Sequence, residues 1–261
     1  MPYGSLDHVL FGGDAAHLDW GRLHRIAVGT AKGIAYLHEE CEQKIIHHDI
    51  KPGNVLLDEN YKPKVGDFGL ARLSNPDNTH VVMSGFKGTP GYAAPEVWTS
   101  YVSHKCDVYS FGMLLFEIVG RRRNHVGGEL SGTSKEWLPR WVYEKAVERK
   151  EVGELLAELG VIDGGSAEES ERAERAVMVG LWCVQYLPTA RPNMSDVVRM
   201  LEGGAGIPQP PNPFAHLVDA GGIGVGSTTW GSSTDTEAMN QTFPLMYEKR
   251  IDILAAANAT L

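Results

Sequence analysis

The chain has 261 residues, of which 43% are hydrophobic, and a formal net charge of −9. This size and composition suit a globular domain with one substantial core. The acidic balance argues against nucleic acid as a partner, because binding to a phosphate backbone requires a clustered basic face and the one basic run, Arg121–Arg123, is short.

The predicted elements are mainly helices, and the first long helix begins near residue 19. Asp19 can cap it by accepting a hydrogen bond from the first turn. The apolar residues that follow recur at three- and four-residue spacing and form one buried stripe: Leu23, Ile26, Ala27, Ile34 and Leu37. Two short strands, Val55–Leu57 and Pro63–Val65, are then predicted around a turn at residues 58–60.

Further helices are predicted along the second half of the chain. Residues 103–119 are apolar nearly all round, which indicates a central buried helix. Two more helices cover Trp137–Val147 and Ala173–Val184, with a solvated acidic loop at Asp163–Glu171 before the second. Ser195 is predicted to cap a last short helix.

The composition changes after Glu202, where Gly-rich and Pro-rich runs begin. We therefore divide the chain into a packed domain over residues 1–202 and a Gly/Pro/Ser/Thr-rich tail over residues 203–261, which is predicted to be largely disordered. The run Gly222–Ser227 is interpreted as a flexible linker rather than a nucleotide-binding loop. Its third glycine falls at the wrong spacing, and no lysine directly follows it.

The three cysteines, Cys41, Cys106 and Cys183, lie far apart in the sequence and form no Cys-x-x-Cys pair. They indicate a reducing compartment rather than disulfides or a zinc site. The richest apolar run, Phe111–Val119, is too short to cross a membrane and carries Glu117. No signal peptide is predicted at the start.

Three motifs in a fixed order carry the chemistry. They are Ile-His-His-Asp-Ile-Lys-Pro-Gly-Asn at 46–54, Asp-Phe-Gly at 67–69 and Ala-Pro-Glu at 94–96. Asp49 and Asn54 stand five residues apart, and Asp67 follows eighteen residues after Asp49. Each string alone is a weak signal, but together they resemble the catalytic loop, the metal-binding turn and the activation-segment end of a eukaryotic protein kinase.

The resemblance implies a mainly α fold with short β-hairpins, the C-terminal lobe of the α+β protein-kinase fold. No Gly-rich phosphate loop precedes the catalytic loop. No Val-Ala-Ile-Lys strand precedes it either, because Lys32 lies in a helical pattern and Lys44 in the turn before the loop. The opening residues 1–6 resemble the hinge between the two lobes. We therefore expect the N-terminal lobe to be missing and apolar groups near the hinge to be exposed: Met1, Tyr3 and Leu56.

The resemblance also implies roles for five residues in a reaction that uses ATP and Mg²⁺. Asp49 accepts the proton of the attacking hydroxyl, and Lys51 places a positive charge near the transferred phosphoryl group. Asn54 and Asp67 hold magnesium ions. Leu56 forms the floor beneath the adenine. An isolated aspartate would instead be interpreted as a helix cap or a surface carboxylate, so these roles depend on the whole set of motifs.

Other matched residues are interpreted as scaffolding. His47 matches the histidine that packs beneath the Phe68 turn, and Asp107 matches the residue of the central helix that holds the backbone of the catalytic loop. Glu96 and Arg191 match a buried ion pair that ties the activation segment to the helices behind it.

His48 departs from the commonest kinase pattern, which has an arginine that binds a phosphate on the activation segment. A histidine with a pKa of about 6.5 is mostly neutral at pH 7 and is not a dependable phosphate partner. The sequence therefore leaves open whether phosphorylation of Ser74, Thr79 or Ser84 regulates the chain. The His47–His48 pair has no further ligands nearby in the sequence, so zinc binding is not expected.

Four segments narrow the resemblance to one kinase subfamily: Gly4–Asp7, Ile34–His38, residues 46–54 and Gly88–Glu96. Their amino-acid sequences are similar to those of plant receptor-like kinases of the leaf-rust-resistance type. Lys51 and Thr89 both favour serine/threonine over tyrosine specificity. The likeness covers residues 1–202 and is weakest at 123–136 and 160–172.

The family lies on the cytoplasmic side of plasma-membrane receptors, so a cytoplasmic location and protein substrates with Ser or Thr are expected. Two functional hypotheses follow. The chain is an ATP-dependent serine/threonine protein kinase truncated at the hinge, or it is a non-catalytic kinase-like interaction module or inactive gene fragment. The intact catalytic residues favour the first hypothesis, and the absent lobe favours the second. The substrate and the receptor ligand are not readable from the sequence.

Overall fold

The computed structural model describes residues 1–12, 18–74, 81–82, 88–98, 101–125, 137–161 and 166–218. The chain divides into two compact units, Met1–Pro211 and Asn212–Leu261. The described helices of the first unit are α1 (Leu6–Phe11), α2 (Trp20–Ala35), α3 (Lys105–Gly120), α4 (Leu138–Tyr143), α5 (Val152–Glu158), α6 (Ala167–Cys183) and α7 (Met194–Leu201). In the second unit one short helix, α8 (Ala215–Val218), is described.

The described strands are short and form antiparallel pairs. They are β1 (Lys44–Ile46), β2 (Val55–Leu57), β3 (Pro63–Val65), β4 (Arg72–Ser74), β5 (Val81–Val82) and β6 (Tyr101–Val102). β1 pairs with β4, β2 with β3, and β5 with β6. The helix-rich fold with short hairpins and the bounds of β2 and β3 agree with the sequence analysis. The predicted turn at Lys44 is wrong, because Lys44 begins β1 opposite Ser74.

The core is built around α3, which is buried along its length from Cys106 to Gly120, as its all-round apolar pattern predicts. It packs on α6 and α2. Two glycines allow the backbones of α3 and α6 to approach closely. A Cβ on Gly112 would lie 2.7 Å from the Cβ of Cys183, and a Cβ on Gly180 would lie 2.8 Å from Cε1 of Phe116.

The ends of α2 and α7 are joined. The Asp19 carboxylate accepts a hydrogen bond from the N–H of Arg22 at 2.7 Å, which confirms the predicted cap of α2. On the same helix, Nε2 of His24 lies 3.1 Å from the carbonyl oxygen of Leu201 at the end of α7. His24 therefore binds a carbonyl that α7 cannot satisfy within itself.

Two helix starts differ from the sequence prediction. α6 begins at Ala167 rather than Ala173, because Ser166 and Glu169 form a capping box in which each side chain accepts the other's backbone N–H. The predicted acidic loop is therefore wrong for residues 167–171, and residues 163–165 lie outside the described residues. α7 is preceded by Asn193, so Ser195 lies inside the helix and is not its cap.

Two apolar side chains at the start of the chain are exposed, and so is that of Phe68. The exposed fractions are 54% for Met1, 42% for Tyr3 and 47% for Phe68. Leu56 is only half-buried, so the expected exposure is met at Met1 and Tyr3 more fully than at Leu56. Among the described residues, no helix has both the length and the hydropathy to cross a membrane.

We expect Gly112→Ala to destabilise the fold by about 1–3 kcal/mol, because the added methyl group overlaps atoms of α6 that cannot move aside. Gly153→Ala in α5 is the matched control. Gly153 is exposed, and a Cβ there meets nothing within 4 Å. Since alanine favours a helix over glycine by about 1 kcal/mol, the control should be neutral or stabilising. Urea unfolding of both variants checks this, and equal effects would contradict close packing of α3 on α6.

Candidate active site

A buried carboxylate at the start of α3 holds the loop of residues 46–54. Asp107 is fully buried, and its two oxygens accept hydrogen bonds from the backbone N–H groups of His47 and His48, each at 2.8 Å. Nε2 of His38 lies 2.9 Å from the same carboxylate. Burial alone would raise the pKa of Asp107, but His38 and the backbone donors hold that pKa below its usual value. The predicted contact with the loop backbone is confirmed.

His48 has a left-handed backbone conformation, with φ of 67°. This conformation costs a non-glycine residue roughly 1–2 kcal/mol. Its side chain is buried, and its Nδ1 lies 3.5 Å from the thiol sulfur of Cys106 in α3. His48 is thus held by its neighbours on α3 through both its backbone and its ring.

Asp49 lies at the centre of a cluster of donors. One carboxylate oxygen accepts from Nδ2 of Asn54 at 2.9 Å and lies 2.8 Å from Nζ of Lys51. The other accepts from the Thr89 hydroxyl at 2.5 Å, and Lys51 also donates to that hydroxyl oxygen at 2.8 Å. Burial alone would raise the pKa of Asp49. The hydrogen bonds from Lys51 and Thr89 outweigh this effect of burial and hold the pKa of Asp49 below its usual value. The structure therefore presents an ionised carboxylate.

The β2–β3 hairpin brings Asn54 close to the Asp67 turn. Asn54 immediately precedes β2, and its carbonyl oxygen accepts from the N–H of Gly66 at 2.8 Å. Asp67 follows in a left-handed conformation with φ of 60°, and its carboxylate is exposed and accepts from the N–H of Gly69 at 3.3 Å. Two predicted magnesium ligands thus lie at the same end of one hairpin.

His47 connects the 46–54 loop to this turn. Its Nε2 lies 2.9 Å from the carbonyl oxygen of Gly66, and its ring centroid lies 5.0 Å from that of Phe68 in an edge-to-face arrangement. His47 is fully buried. The predicted packing of His47 beneath the Phe68 turn is confirmed.

The donor set at the hairpin end fits magnesium. Both hydrogen bonds of the Asn54 amide nitrogen go to acceptors on Asp49, so the nitrogen must face Asp49 and the amide oxygen faces elsewhere. With the exposed carboxylate of Asp67, this makes two hard oxygen ligands. Magnesium is commonly held by one or two protein groups together with substrate phosphates. Among the residues that the structure describes, no cluster of three or more His, Cys, Asp or Glu side chains forms a metal site.

Leu56 lies between the start of the chain and the Asp67 turn. It forms an isolated bridge with Ser5, and the N–H of the next residue, Leu57, donates to the carbonyl oxygen of Gly4 at 2.9 Å. A Cβ on Gly66 would lie 3.3 Å from Cδ1 of Leu56. The five residues for which the sequence predicts roles are therefore brought into one connected region.

Behind this region, Glu96 and Arg191 form the predicted ion pair. The two terminal guanidinium nitrogens of Arg191, Nη1 and Nη2, donate to the two carboxylate oxygens of Glu96 at 2.6 and 2.9 Å. The Arg191 side chain is fully buried and also donates to three backbone carbonyl oxygens, those of Lys105, Gln185 and Tyr186. This pair is therefore fully hydrogen-bonded as well as buried.

The sequence analysis missed the role of Glu117. This buried residue of α3 accepts from the Tyr92 hydroxyl at 2.7 Å and from the N–H of Asn124 at 2.9 Å. Burial raises the pKa of Glu117 despite these two hydrogen bonds. The sequence signal for this role was a charged residue in a helix that is apolar nearly all round, because a buried charge requires hydrogen-bond partners.

Of the three candidate phosphate acceptors, only Ser74 lies within the described residues. It is 3% exposed and pairs with Lys44 across β1 and β4. A kinase could therefore reach Ser74 only after local opening of this ladder. Thr79 and Ser84 lie outside the described residues.

Comparison with known proteins finds relatives over most of the chain. A family profile of the protein kinase domain matches residues 1–200. Among curated relatives from Arabidopsis thaliana, leaf rust 10 disease-resistance locus receptor-like protein kinase-like 2.2 is 43% identical over 219 residues, which are 82% of this chain and 33% of the relative. Protein suppressor of NPR1-1 constitutive 4 is also 43% identical, over 82% of this chain and 19% of its own length.

A third relative from Arabidopsis thaliana is G-type lectin S-receptor-like serine/threonine-protein kinase SD2-5. It is 44% identical over 216 residues, covering 80% of this chain and 25% of the relative. The chain thus spans a third or less of the length of these relatives. The residues that the family profile matches include the whole cluster around Asp49.

We expect Arg191→Ala to destabilise the protein by about 3–5 kcal/mol, because it removes the guanidinium that neutralises the largely buried Glu96 carboxylate. Arg199→Ala is the matched control, since Arg199 pairs with Asp196 on the surface and its side chain is 68% exposed. The control should cost less than about 1 kcal/mol. Urea unfolding measures both, and a small effect of Arg191→Ala would show that the pair adds little to stability.

A pH dependence follows from His104, which precedes α3 and whose ring lies 5.3 Å from that of His38. Burial, with the nearby charges of His38, Lys44 and Lys105, lowers the pKa of His104 from 6.5 to about 3. At a pH between these two pKa values, residue 104 is protonated in the unfolded chain and neutral in the folded chain. The free energy of unfolding should therefore fall as the pH is lowered from 6.5 towards 3.

We expect His104→Gln to make this fall shallower, because glutamine does not titrate. Urea unfolding across the pH range measures the slope for both proteins. The difference in the free energy of unfolding between the two proteins at pH 7.5 reports lost packing and the lost hydrogen bond with Asn193, since the histidine is neutral there in both states. If the free energy of unfolding falls equally steeply with pH in the two proteins, the lowered pKa of His104 is contradicted.

Proposed function

Because the chain belongs to the protein kinase domain family, we propose that it takes part in transfer of the γ-phosphoryl group of ATP to serine and threonine hydroxyls of proteins. The observation that carries this proposal is the cluster around Asp49. An ionised carboxylate, a lysine and a threonine hydroxyl converge within hydrogen-bond distance of one another. Phosphoryl transfer depends mainly on such positioning and on neutralising charge.

Asp49 is proposed to receive the substrate hydroxyl. Its lowered pKa makes it a weak base, so its main contribution is to orient the hydroxyl and to take up the proton late in the transfer. Lys51 lies beside it with a permanent positive charge, which would stabilise the negative charge on the transferred group. Thr89 joins the two side chains and fixes the geometry between them.

Serine/threonine specificity is supported by the same contacts. Lys51 and Thr89 are the two residues that the sequence analysis associates with serine/threonine kinases, and they touch each other and Asp49. One relative is itself named a serine/threonine-protein kinase.

Asn54 and Asp67 are proposed to hold Mg²⁺, and Leu56 to contact the adenine of ATP. When bound, the metal would neutralise charge on the phosphates. The contribution of the chain is to keep two oxygen ligands at one hairpin end, through the Gly66–Asn54 hydrogen bond and the His47 contact with Gly66.

We assign residues 1–202 to the hinge and C-terminal lobe of a kinase domain. In the family, the N-terminal lobe supplies the phosphate cover and a Lys–Glu pair that position ATP. Met1, Tyr3 and Phe68 carry exposed apolar groups, and we propose that such a lobe packs on them. By analogy with the receptor-like relatives, the domain would work at the cytoplasmic face of a plasma-membrane receptor.

The test is to join the N-terminal lobe of the leaf-rust relative ahead of Met1 and to measure phosphate incorporation into a serine/threonine peptide. We expect little activity from the 261 residues alone and magnesium-dependent activity from the chimera. Asp49→Asn should lower the rate by at least about 100-fold, the usual effect of losing an acid–base residue. Asp196→Asn, which removes a surface carboxylate of α7, should leave the rate unchanged.

Folded chimeras that bind ATP but transfer no phosphate would contradict the proposal. They would favour the second hypothesis, a non-catalytic kinase-like interaction module. Activity that survives Asp49→Asn would contradict the role of Asp49 while leaving the transferase assignment intact. Circular dichroism of each variant confirms that it is folded.

A further inference from the structure

The segment that follows α7 lies along α6, although the sequence analysis places it in the tail. α7 ends in a Schellman motif, in which Gly203, with φ of 83°, donates to Met200 and Gly204 donates to Arg199. This motif reverses the chain direction. Residues 205–211 then run beside α6 within the first compact unit. We call residues 205–211 the strap.

Side chains of α6 and the residues after it bind the strap through its backbone. The bonds are Arg175 Nη1 to Ala205 O at 3.0 Å, Trp182 Nε1 to Pro208 O at 2.9 Å and Gln185 Nε2 to Pro211 O at 3.0 Å. We call these three donor side chains the donor row. The strap and α6 run in the same direction, since both sets of residues increase together.

The three accepting carbonyls are spaced three residues apart. A polyproline-II helix has three residues per turn, so carbonyls at this spacing lie on one side of it. The prolines fix their own φ, and residues before prolines are kept out of the α region, which applies to Ile207, Gln209 and Pro210. The hydrogen-bond spacing and the sequence therefore both indicate a polyproline-II conformation.

The lengths and the burial agree with this conformation. Six residues of polyproline II rise about 19 Å. The eight helical steps from Arg175 to Cys183 rise about 12 Å, and Val184 and Gln185 extend beyond the helix end. The long donor side chains can span the difference. Within the strap, Pro210 is buried and Ile207 half-buried, while Pro208 and Gln209 are exposed. Ala205 is half-buried as well, and Gly206 and Pro211 are exposed.

We propose that the donor row is a binding site for polyproline-II segments, that the strap is its intramolecular ligand, and that a proline-rich segment of another protein binds there in its place. The donor row binds carbonyl oxygens rather than particular side chains. Such a donor row therefore accepts any segment with the x-Pro-x-Pro-Pro pattern of residues 207–211. This site is separate from the proposed phosphoryl transfer and does not depend on it.

The strap can leave without breaking a helix. It follows the last helix of the first unit, and the hydrogen bonds described above join it to side chains rather than to a ladder of backbone groups. As a tethered ligand, it competes at an effective concentration in the millimolar range. A free peptide should therefore bind weakly to the native chain and well to a chain whose strap is weakened.

The test uses the full chain and a variant with Pro208, Pro210 and Pro211 each changed to glycine. A fluorescent peptide with the sequence of residues 204–211 is titrated by anisotropy. We expect the variant to bind this peptide at least about tenfold more tightly than the native chain. A peptide with the three prolines changed to alanine should bind at least about fivefold more weakly, because it is not held in polyproline II.

Trp182→Phe in the weakened variant removes the indole N–H and keeps an aromatic ring, and it should weaken peptide binding about fivefold. Trp20→Phe in α2 is the matched control and should have no effect. A folded variant that binds no better than the native chain would overturn the proposal, as would binding that is unchanged by Trp182→Phe.

A second measurement covers the case in which the triple variant does not fold. The native chain is mixed with the native or the alanine peptide at millimolar concentration, and thermolysin cleavage within the strap is followed by mass spectrometry. We expect faster cleavage with the native peptide only. Equal rates would overturn the proposal. So would dimers of the native chain formed by exchange of straps, detected by light scattering, because the ligand would then be a second copy.

Discussion

The carboxylate of Asp107 joins the helical core to the loop that carries the chemistry. It is fully buried at the start of α3 and accepts two backbone N–H groups of the 46–54 loop. An ionised group in the interior is stable only when it is fully hydrogen-bonded, so the loop and His38 are required partners rather than incidental contacts. Because α3 itself is packed on α2 and α6, the position of the loop is set by the core.

The same anchor accounts for the strained conformation at His48. A left-handed histidine persists only where its surroundings hold it, and here Asp107 binds its N–H while Cys106 contacts its ring. Both contacts come from adjacent residues of α3. An internal thiol thus contacts the ring at the position where the commonest kinase pattern has an arginine, and this contact involves no phosphate group.

Close packing behind the loop depends on small and on charged residues together. Glycines at 112 and 180 let α3 and α6 approach to distances at which any Cβ would clash. Next to them, the Arg191 guanidinium is buried and fully used by Glu96 and three carbonyl oxygens. The backbone approach and the ion pair fix the distance and the register of the helices that support the loop.

The sequence by itself determined the helix-rich class, the β2–β3 hairpin, the buried α3 and the identities of the candidate site residues, because these depend on local periodicity and on ordered motifs. It did not give the start of α6, since a capping box outweighed the acidic composition of its first turn. Only the tertiary structure showed that Thr89 bridges Asp49 and Lys51, that Glu117 binds Tyr92, and that residues 205–211 lie on α6. Each of these contacts joins residues far apart in the chain, whose approach is decided by how the helices pack and not by any local pattern.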